Sequence, residues 1–316
     1  FKNFLPLGSY FRSRFSYVLI FFYSFFKLHK LIKKDEPNYL ICHLITSLPL
    51  FLLFIFSYKT KFILRISGFP KLNFFRKLLW KAVSNKIFIV TCPTKDCLKL
   101  IQSKNIFPSS KLIYLPDPII DFDEIRKKKF DNIAIEKNFN KSNSLVSIGR
   151  LTKQKNFSFL INCFKKISLK YPHLNLFIIG DGEEKRNLQN QINNLQLNNK
   201  VFLLGYKKNV YRYLRSCYCF ILSSMWEDPG FVIIEAASMN TTIISSDCPN
   251  GPKEFLDNGN NGFLFNNNSK ESFFSTFDTF IESDEILINK KKLLAKKQIK
   301  DFTKFNHYNI LSQFII

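Results

Sequence analysis

The sequence predicts an α/β protein made of two parallel-sheet domains. Three observations lead there. At 316 residues the chain is long enough to bury two cores. Short apolar runs alternate with longer helical patterns along most of it. Leu115-Pro116-Asp117-Pro118 then interrupts that alternation part-way.

Before the interruption, apolar runs read as strands at Tyr39–His43, Thr60–Ile66, Ile87–Thr91 and Lys111–Leu115, with a helical pattern over Phe74–Val83. Residues 39–58 have about the length of a membrane span, but they contain His43, Thr46, Ser47 and Pro49. A buried strand, a turn and a buried helix account for them without lipid. The aromatic stretch from Tyr17 to Phe26 lies among Arg12, Arg14, Lys27 and Lys30 and reads as an interfacial amphipathic helix. Four strands are few for a doubly wound domain, and the chain begins at Phe1 rather than Met. An N-terminally incomplete first domain, lacking its opening strands, is therefore expected. The basic run Arg126–Lys129 leads into a polar stretch at Lys137–Asn143, which sets the expected domains at 1–137 and 138–316.

The second domain repeats strand and helix more regularly. Strands are expected at Leu145–Ile148, Leu174–Ile179, Val201–Leu204, Tyr218–Leu222, Thr242–Ser246 and Gly262–Phe265. Helical patterns cover Phe157–Tyr171, Glu183–Leu195, the segment opened by Pro229-Gly230, Lys270–Ile281 and Glu285–Phe302. The last helix is expected to pack back on the first domain.

The formal charge is +23, and residues 1–116 hold 19 Lys/Arg against 3 Asp/Glu, a net of +16. Such a field attracts nucleic acid or an anionic membrane surface. No P-loop, zinc finger or aromatic nucleic-acid motif accompanies it, which argues against nucleic acid as partner. Seven cysteines without a C-x-x-C pair and four histidines suggest neither a zinc site nor a disulfide framework, in keeping with a reducing cytoplasm.

The most informative segment runs from Met225 to Ala237 and separates Glu227 from Glu235 by seven residues. Glu227 falls on the loop after a buried strand, and Glu235 about a turn into the next helix. In an open parallel sheet the carboxyl ends of strands face the ligand crevice, where free helix N–H groups favour anions. Two carboxylates there can act as acid and nucleophile, or accept hydrogen bonds from sugar hydroxyls. Gly149-Arg150-Leu151-Thr152-Lys153-Gln154-Lys155 likewise follows a strand, and a guanidinium fork with a mobile ammonium suits a diphosphate. Gly180-Asp181-Gly182 closes the next strand in a tight turn.

In their order and spacing, Gly149-Arg150-Leu151 with Lys155, Gly180-Asp181-Gly182, Glu227-x7-Glu235 and Asn258-Gly259-Asn260-Asn261-Gly262-Phe263-Leu264 resemble the retaining glycosyltransferases of family 4. The resemblance covers about residues 87–300 well. It implies two facing Rossmann-like domains (the GT-B fold), a nucleotide-sugar donor with UDP favoured, and a saccharide or lipid-linked acceptor in polysaccharide or lipopolysaccharide synthesis. By it, Gly149, Arg150, Lys155, Gly180, Gly182, Gly230, Phe231 and Glu235 bind the donor: the two cations hold the diphosphate and Glu235 the ribose. Glu227 contacts the donor sugar as a catalytic residue, with His43 of Ile41-Cys42-His43-Leu44 as its counterpart in the first domain. The family's glycine-rich loop after the first strand has no counterpart here. No metal or cofactor is implied, and Asp121-Phe122-Asp123 reads as structural. The expected location is the cytoplasm, peripheral on the inner face of the cell membrane. Two other readings compete: a glycoside hydrolase using Glu227 and Glu235, and a basic membrane- or nucleic-acid-binding protein without catalysis.

Overall fold

The computed structural model describes residues 14–131 and 135–315, with the side chains of residues 14–19 outside that description. Arg12, one of the cations noted above, also lies outside it. By compactness the chain forms two units. One joins the described residues through Pro93 with Cys97–Tyr114, and the other joins Thr94–Asp96 with the described residues from Leu115 onward.

The first unit opens with α1 (Arg14–Asp35) and continues as β1 (Tyr39–His43), α2 (Ser47–Ile55), β2 (Lys61–Arg65), α3 (Phe74–Val83), β3 (Ile89–Cys92), α4 (Lys95–Ser103) and β4 (Leu112–Tyr114). Its four strands lie in chain order, all parallel. The apolar run 39–58 resolves into β1, a turn and α2, as its polar residues led us to expect. Alternation on the strands explains the core: Phe62 and Leu64 of β2 and Val90 and Cys92 of β3 point to one face, where they pack with Leu50, Leu52, Leu53, Trp80 and Val83 of the helices.

The second unit begins with α5 (Phe122–Phe130), whose Asp121 cap accepts from the N–H groups of Asp123 and Glu124 and pairs with Lys304 at 2.5 Å. The sequence treats 115–131 as the tail of the first domain. In the structure this segment packs with the second unit, because the Ile120 N–H bonds to the Phe302 carbonyl and α5 lies against α8 (Tyr211–Ser216). Six parallel strands follow: β5 (Ser144–Ile148), β6 (Asn175–Ile179), β7 (Val201–Leu203), β8 (Cys219–Leu222), β9 (Ile243–Ser246) and β10 (Phe263–Phe265). Between them run α6 (Phe157–Lys170), α7 (Lys185–Asn194), α8, α9 (Phe231–Ser238) and the short α10 (Pro252–Phe255). After β10 come α11 (Lys270–Glu282), α12 (Glu285–Gln298) and α13 (Lys304–Ile315).

The six-stranded sheet is buried on both faces, which is why its strands are mostly apolar rather than alternating. Val146, Ile148, Phe177, Ile179, Phe220 and Leu222 enter one core, and Leu145, Leu176, Ile178, Cys219 and Ile221 the other. The strand order is β10-β9-β8-β5-β6-β7. Winding therefore reverses between β5 and β8, and a crevice opens outside their carboxyl ends.

Candidate active site in the second unit

The loops after β5 and β8 meet at this reversal. The Met225 N–H donates to the Gln154 carbonyl (2.8 Å), the Gln154 side chain donates to the Trp226 carbonyl (2.9 Å), and Ser223 Oγ donates to the Lys155 carbonyl (2.9 Å). These bonds deliver Lys155 Nζ to both carboxylate oxygens of Glu227, at 2.6 and 2.8 Å, and Ser224 Oγ donates to Glu227 Oε1 at 2.5 Å. Glu227 is 3 % exposed. A carboxylate so buried is tolerated only when paired and hydrogen-bonded, and here it has an ammonium and a hydroxyl. Its main chain is held as well, since its N–H donates to the Pro249 carbonyl (3.2 Å) and its carbonyl accepts from Asn250 Nδ2 (2.8 Å).

Gly230, at φ 85°, caps α9 in the left-handed region, and a Cβ there would stand 3.1 Å from the Glu227 side chain. Phe231 follows, exposed, and Glu235 lies one turn further on, partly buried. Burial pushes the Glu235 carboxyl up from the ordinary 4.5 to about 7; nearby Lys128 and a hydrogen bond from Tyr211 pull it down, and Glu124 adds to the rise. Gly149, Arg150, Lys155, Glu227, Gly230, Phe231 and Glu235 all line one cleft of about 450 Å³. That volume falls within the usual range of small-molecule sites.

Gly180 and Gly182 are placed differently: they form the wall behind the cleft instead of its lining. The Leu151 N–H donates to the Asp181 carbonyl and the Glu184 N–H to the Leu151 carbonyl, so the two glycine turns lock together. His43 stands at the carboxyl end of β1 in the first unit, exposed, with Arg65 Nη1 2.6 Å from its Nε2. A guanidinium only donates, so Nε2 accepts and the neutral ring carries its proton on Nδ1. Glu254, in the first turn of α10, accepts from the N–H groups of Lys95 (2.8 Å) and Asp96 (3.3 Å), both counted with the second unit.

Several site residues escape the sequence reading. Ser224 and Asn250 hold Glu227 from both sides, and Lys207 and Lys208 bring two more cations to the cleft. Lys207 pairs with Glu136 at 3.0 Å. The available signal was Gly205-Tyr206-Lys207-Lys208 just beyond β7, a glycine and cations after a strand, as in the Gly149 loop.

A family model described as glycosyl transferases group 1 matches residues 128–300, more than half of the chain and all of this cleft. The chain belongs to that family. The chain is 36 % identical over 249 residues to an uncharacterized glycosyltransferase of Methanocaldococcus jannaschii, covering 73 % of this chain and 61 % of the relative. It thus spans less than two thirds of that relative's length. It is also 27 % identical over 259 residues to the N-acetylgalactosamine-N,N'-diacetylbacillosaminyl-diphospho-undecaprenol 4-alpha-N-acetylgalactosaminyltransferase of Campylobacter jejuni, covering 79 % of this chain and 68 % of that one. Among solved structures, Anabaena Alr3699/HepE in complex with UDP and glucose aligns with a TM-score of 0.72 at 16 % identity, over 90 % of this chain and 80 % of that chain. The pneumococcal O-GlcNAc transferase GtfA in complex with UDP and GlcNAc aligns with a TM-score of 0.71 at 16 % identity, over 91 % and 59 %. The chain accordingly has the GT-B fold class, α/β with two Rossmann-like parallel-sheet units, as the sequence led us to expect.

Proposed function

We propose that the chain is a retaining glycosyltransferase that moves a sugar from a UDP-sugar to a saccharide or lipid-linked acceptor in surface polysaccharide or lipopolysaccharide synthesis. The observation that carries this is the cleft between β5 and β8, where Arg150, Lys155 and a helix N-terminus stand beside the buried Glu227. UDP in two of the aligned structures supports the nucleotide, and the undecaprenol-linked acceptor in the name of the Campylobacter jejuni relative supports the lipid.

In this reading Arg150 and Lys155 hold the diphosphate, assisted by the amides of Gly230 and Phe231 at the start of α9. Glu235 accepts from the ribose hydroxyls and Glu227 from the donor sugar. Gly149 shapes the loop that carries Arg150, and Gly180 and Gly182 fix it from behind. His43 is the first unit's candidate, its ring already oriented by Arg65. The bond from the anomeric carbon to the β-phosphate oxygen breaks while the acceptor oxygen attacks from the same face, and the acceptor proton passes to the departing phosphate. Charge builds on that phosphate, and each preorganised donor aimed at it is worth about 2.7–4 kcal/mol where water is excluded. Two cations and a helix terminus provide this without a metal. Among the described residues no helix is long and apolar enough to cross a membrane, and we place the protein peripherally on an anionic membrane surface, where a lipid-linked acceptor resides.

A panel of UDP- and GDP-sugars with saccharide acceptors, read by nucleotide release and by NMR of the product's anomeric configuration, tests the reading. UDP release with the configuration retained is expected. Free sugar released from glycosides without nucleotide release would instead favour hydrolysis by Glu227 and Glu235.

Glu235 yields a second expectation. Its folded value lies above its unfolded one, so stability falls as pH rises from 4.5 through about 7 and the full penalty stands above that. Glu235→Gln should therefore raise stability at pH 8 by up to about 3 kcal/mol and have little effect at pH 4.5. The same change should weaken UDP binding at pH 8. Thermal unfolding and UDP titration at both pH values read the two effects, and destabilisation at pH 8 would contradict the assignment.

A further inference from the structure

Away from the cleft, exposed apolar side chains gather on the helices of the first unit. Within that unit α2 packs against both α1 and α3. On α3, Trp80 and Val83 are buried, while Phe74 and Phe75 on other sides of the helix are 75 % and 78 % exposed, with Leu78 exposed one turn after Phe74. Phe74 and Phe75 meet edge-on at 5.7 Å between ring centres. Lys77 and Lys81, at i+3 and i+7 from Phe74, flank this apolar stripe. On α1, Ile32 is buried, whereas Phe22 and Phe26 are 67 % and 75 % exposed, with Lys27 and Lys30 beside them. Helices that bury one apolar side and present another are not stabilised by water on the second.

The chemistry of these sides selects the occupant. No Asp or Glu occurs between Lys59 and Lys95, and residues 1–116 carry a net +16. A bilayer with anionic headgroups offers an apolar layer for the rings and phosphates for the lysines at the same depth.

We propose that α1 and α3 dock the first unit on an anionic lipid bilayer, Phe22, Phe26, Phe74 and Phe75 entering the boundary between headgroups and acyl chains while Lys77 and Lys81 meet the headgroups. This rests on the reading of a peripheral protein at a membrane and deepens it by naming the elements that make the contact. The four rings supply attachment, and the lysines supply the preference for anionic lipid.

Flotation of the full chain with phosphatidylcholine vesicles, with and without 30 % phosphatidylglycerol (about a physiological anionic content), tests it. Wild-type protein is expected to float with the anionic vesicles and to be released by salt. Phe74→Ser with Phe75→Ser, and Phe22→Ser with Phe26→Ser, should each lower partitioning about tenfold. Lys77→Glu with Lys81→Glu should remove the anionic preference. All three double variants should keep nucleotide release to a water-soluble acceptor, which shows that they are folded. Unchanged flotation of both phenylalanine variants would overturn the assignment to α1 and α3 and leave peripheral attachment standing. Wild-type flotation indifferent to phosphatidylglycerol and salt would overturn the membrane reading as well. A wild-type dimer that does not float and that Phe74→Ser with Phe75→Ser dissociates would make this face a contact between copies of the chain. Loss of nucleotide release in the wild type would fault the transferase reading, a separate failure.

Discussion

Glu227→Gln is expected to lower sugar transfer by about 10²–10³-fold while UDP affinity is kept or raised. Glutamine keeps the volume of the side chain and an oxygen for Lys155 and Ser224, and it removes the charge that orders the donor sugar in our reading. Lys155 loses its counter-ion and keeps its place, so the diphosphate still finds a cation. Glu227→Ala should be worse in a second respect. Lys155 is only 15 % exposed at its side chain, and alanine, unlike glutamine, leaves its ammonium without even a hydrogen-bond acceptor, where stranding a buried ion costs about 3–5 kcal/mol. The comparison requires UDP-release kinetics, UDP titration calorimetry and denaturant unfolding on both variants. Should Glu227→Gln lose as much UDP affinity as Glu235→Ala, the division of roles between sugar and ribose would be wrong.

Gly180→Ala should be the most damaging single methyl group in the second unit. A Cβ at this position would lie 1.9 Å from the Gly149 carbonyl oxygen, and the backbone sits at φ 146°, where side chains are strained. The obstacle is main chain and has no rotamer with which to yield. The Gly149–Leu151 loop must move, carrying Arg150 with it, and a loss of about 3–5 kcal/mol is expected together with weakened UDP binding. Gly205 provides the control: it too has positive φ (67°), but nothing stands within 4 Å of its added Cβ. Gly205→Ala should cost only the backbone term, about 1–2 kcal/mol. Equal stability of the two variants in denaturant would show that the contact with Gly149 relaxes freely.

Much of this molecule could be read from its sequence because the information is local. The strands of the second unit are runs such as Phe177-Ile178-Ile179 and Phe220-Ile221-Leu222, apolar throughout because both faces are covered, and all six begin and end within two residues of expectation. Helix α3 is found at its expected limits because Asn73 caps it and Trp80 and Val83 mark its inner side. Helix α5 was missed because only Ile125 of its nine residues is buried, leaving a charged run without an apolar period. In the cleft, Glu227, Glu235, Arg150 and Lys155 stood out by spacing. Ser224 and Asn250 did not, since a hydroxyl and an amide acquire their roles only when a distant loop folds over Glu227. Gly180 and Gly182 were visible as turns, but only three-dimensional packing reveals that they brace the Gly149 loop.

The ion pair between Lys155 and Glu227 means that the cleft contains a resident competitor for incoming anions. A simple phosphate arriving at Lys155 meets an ammonium whose field a buried carboxylate already largely cancels, and it gives that carboxylate nothing in return. A ligand that brings hydroxyl donors for Glu227 along with phosphate for Lys155 satisfies both halves of the pair together. Under the proposed roles, the pair thus acts as a filter against inorganic phosphate and bare nucleotide, admitting most readily the molecule in which sugar and diphosphate are still joined.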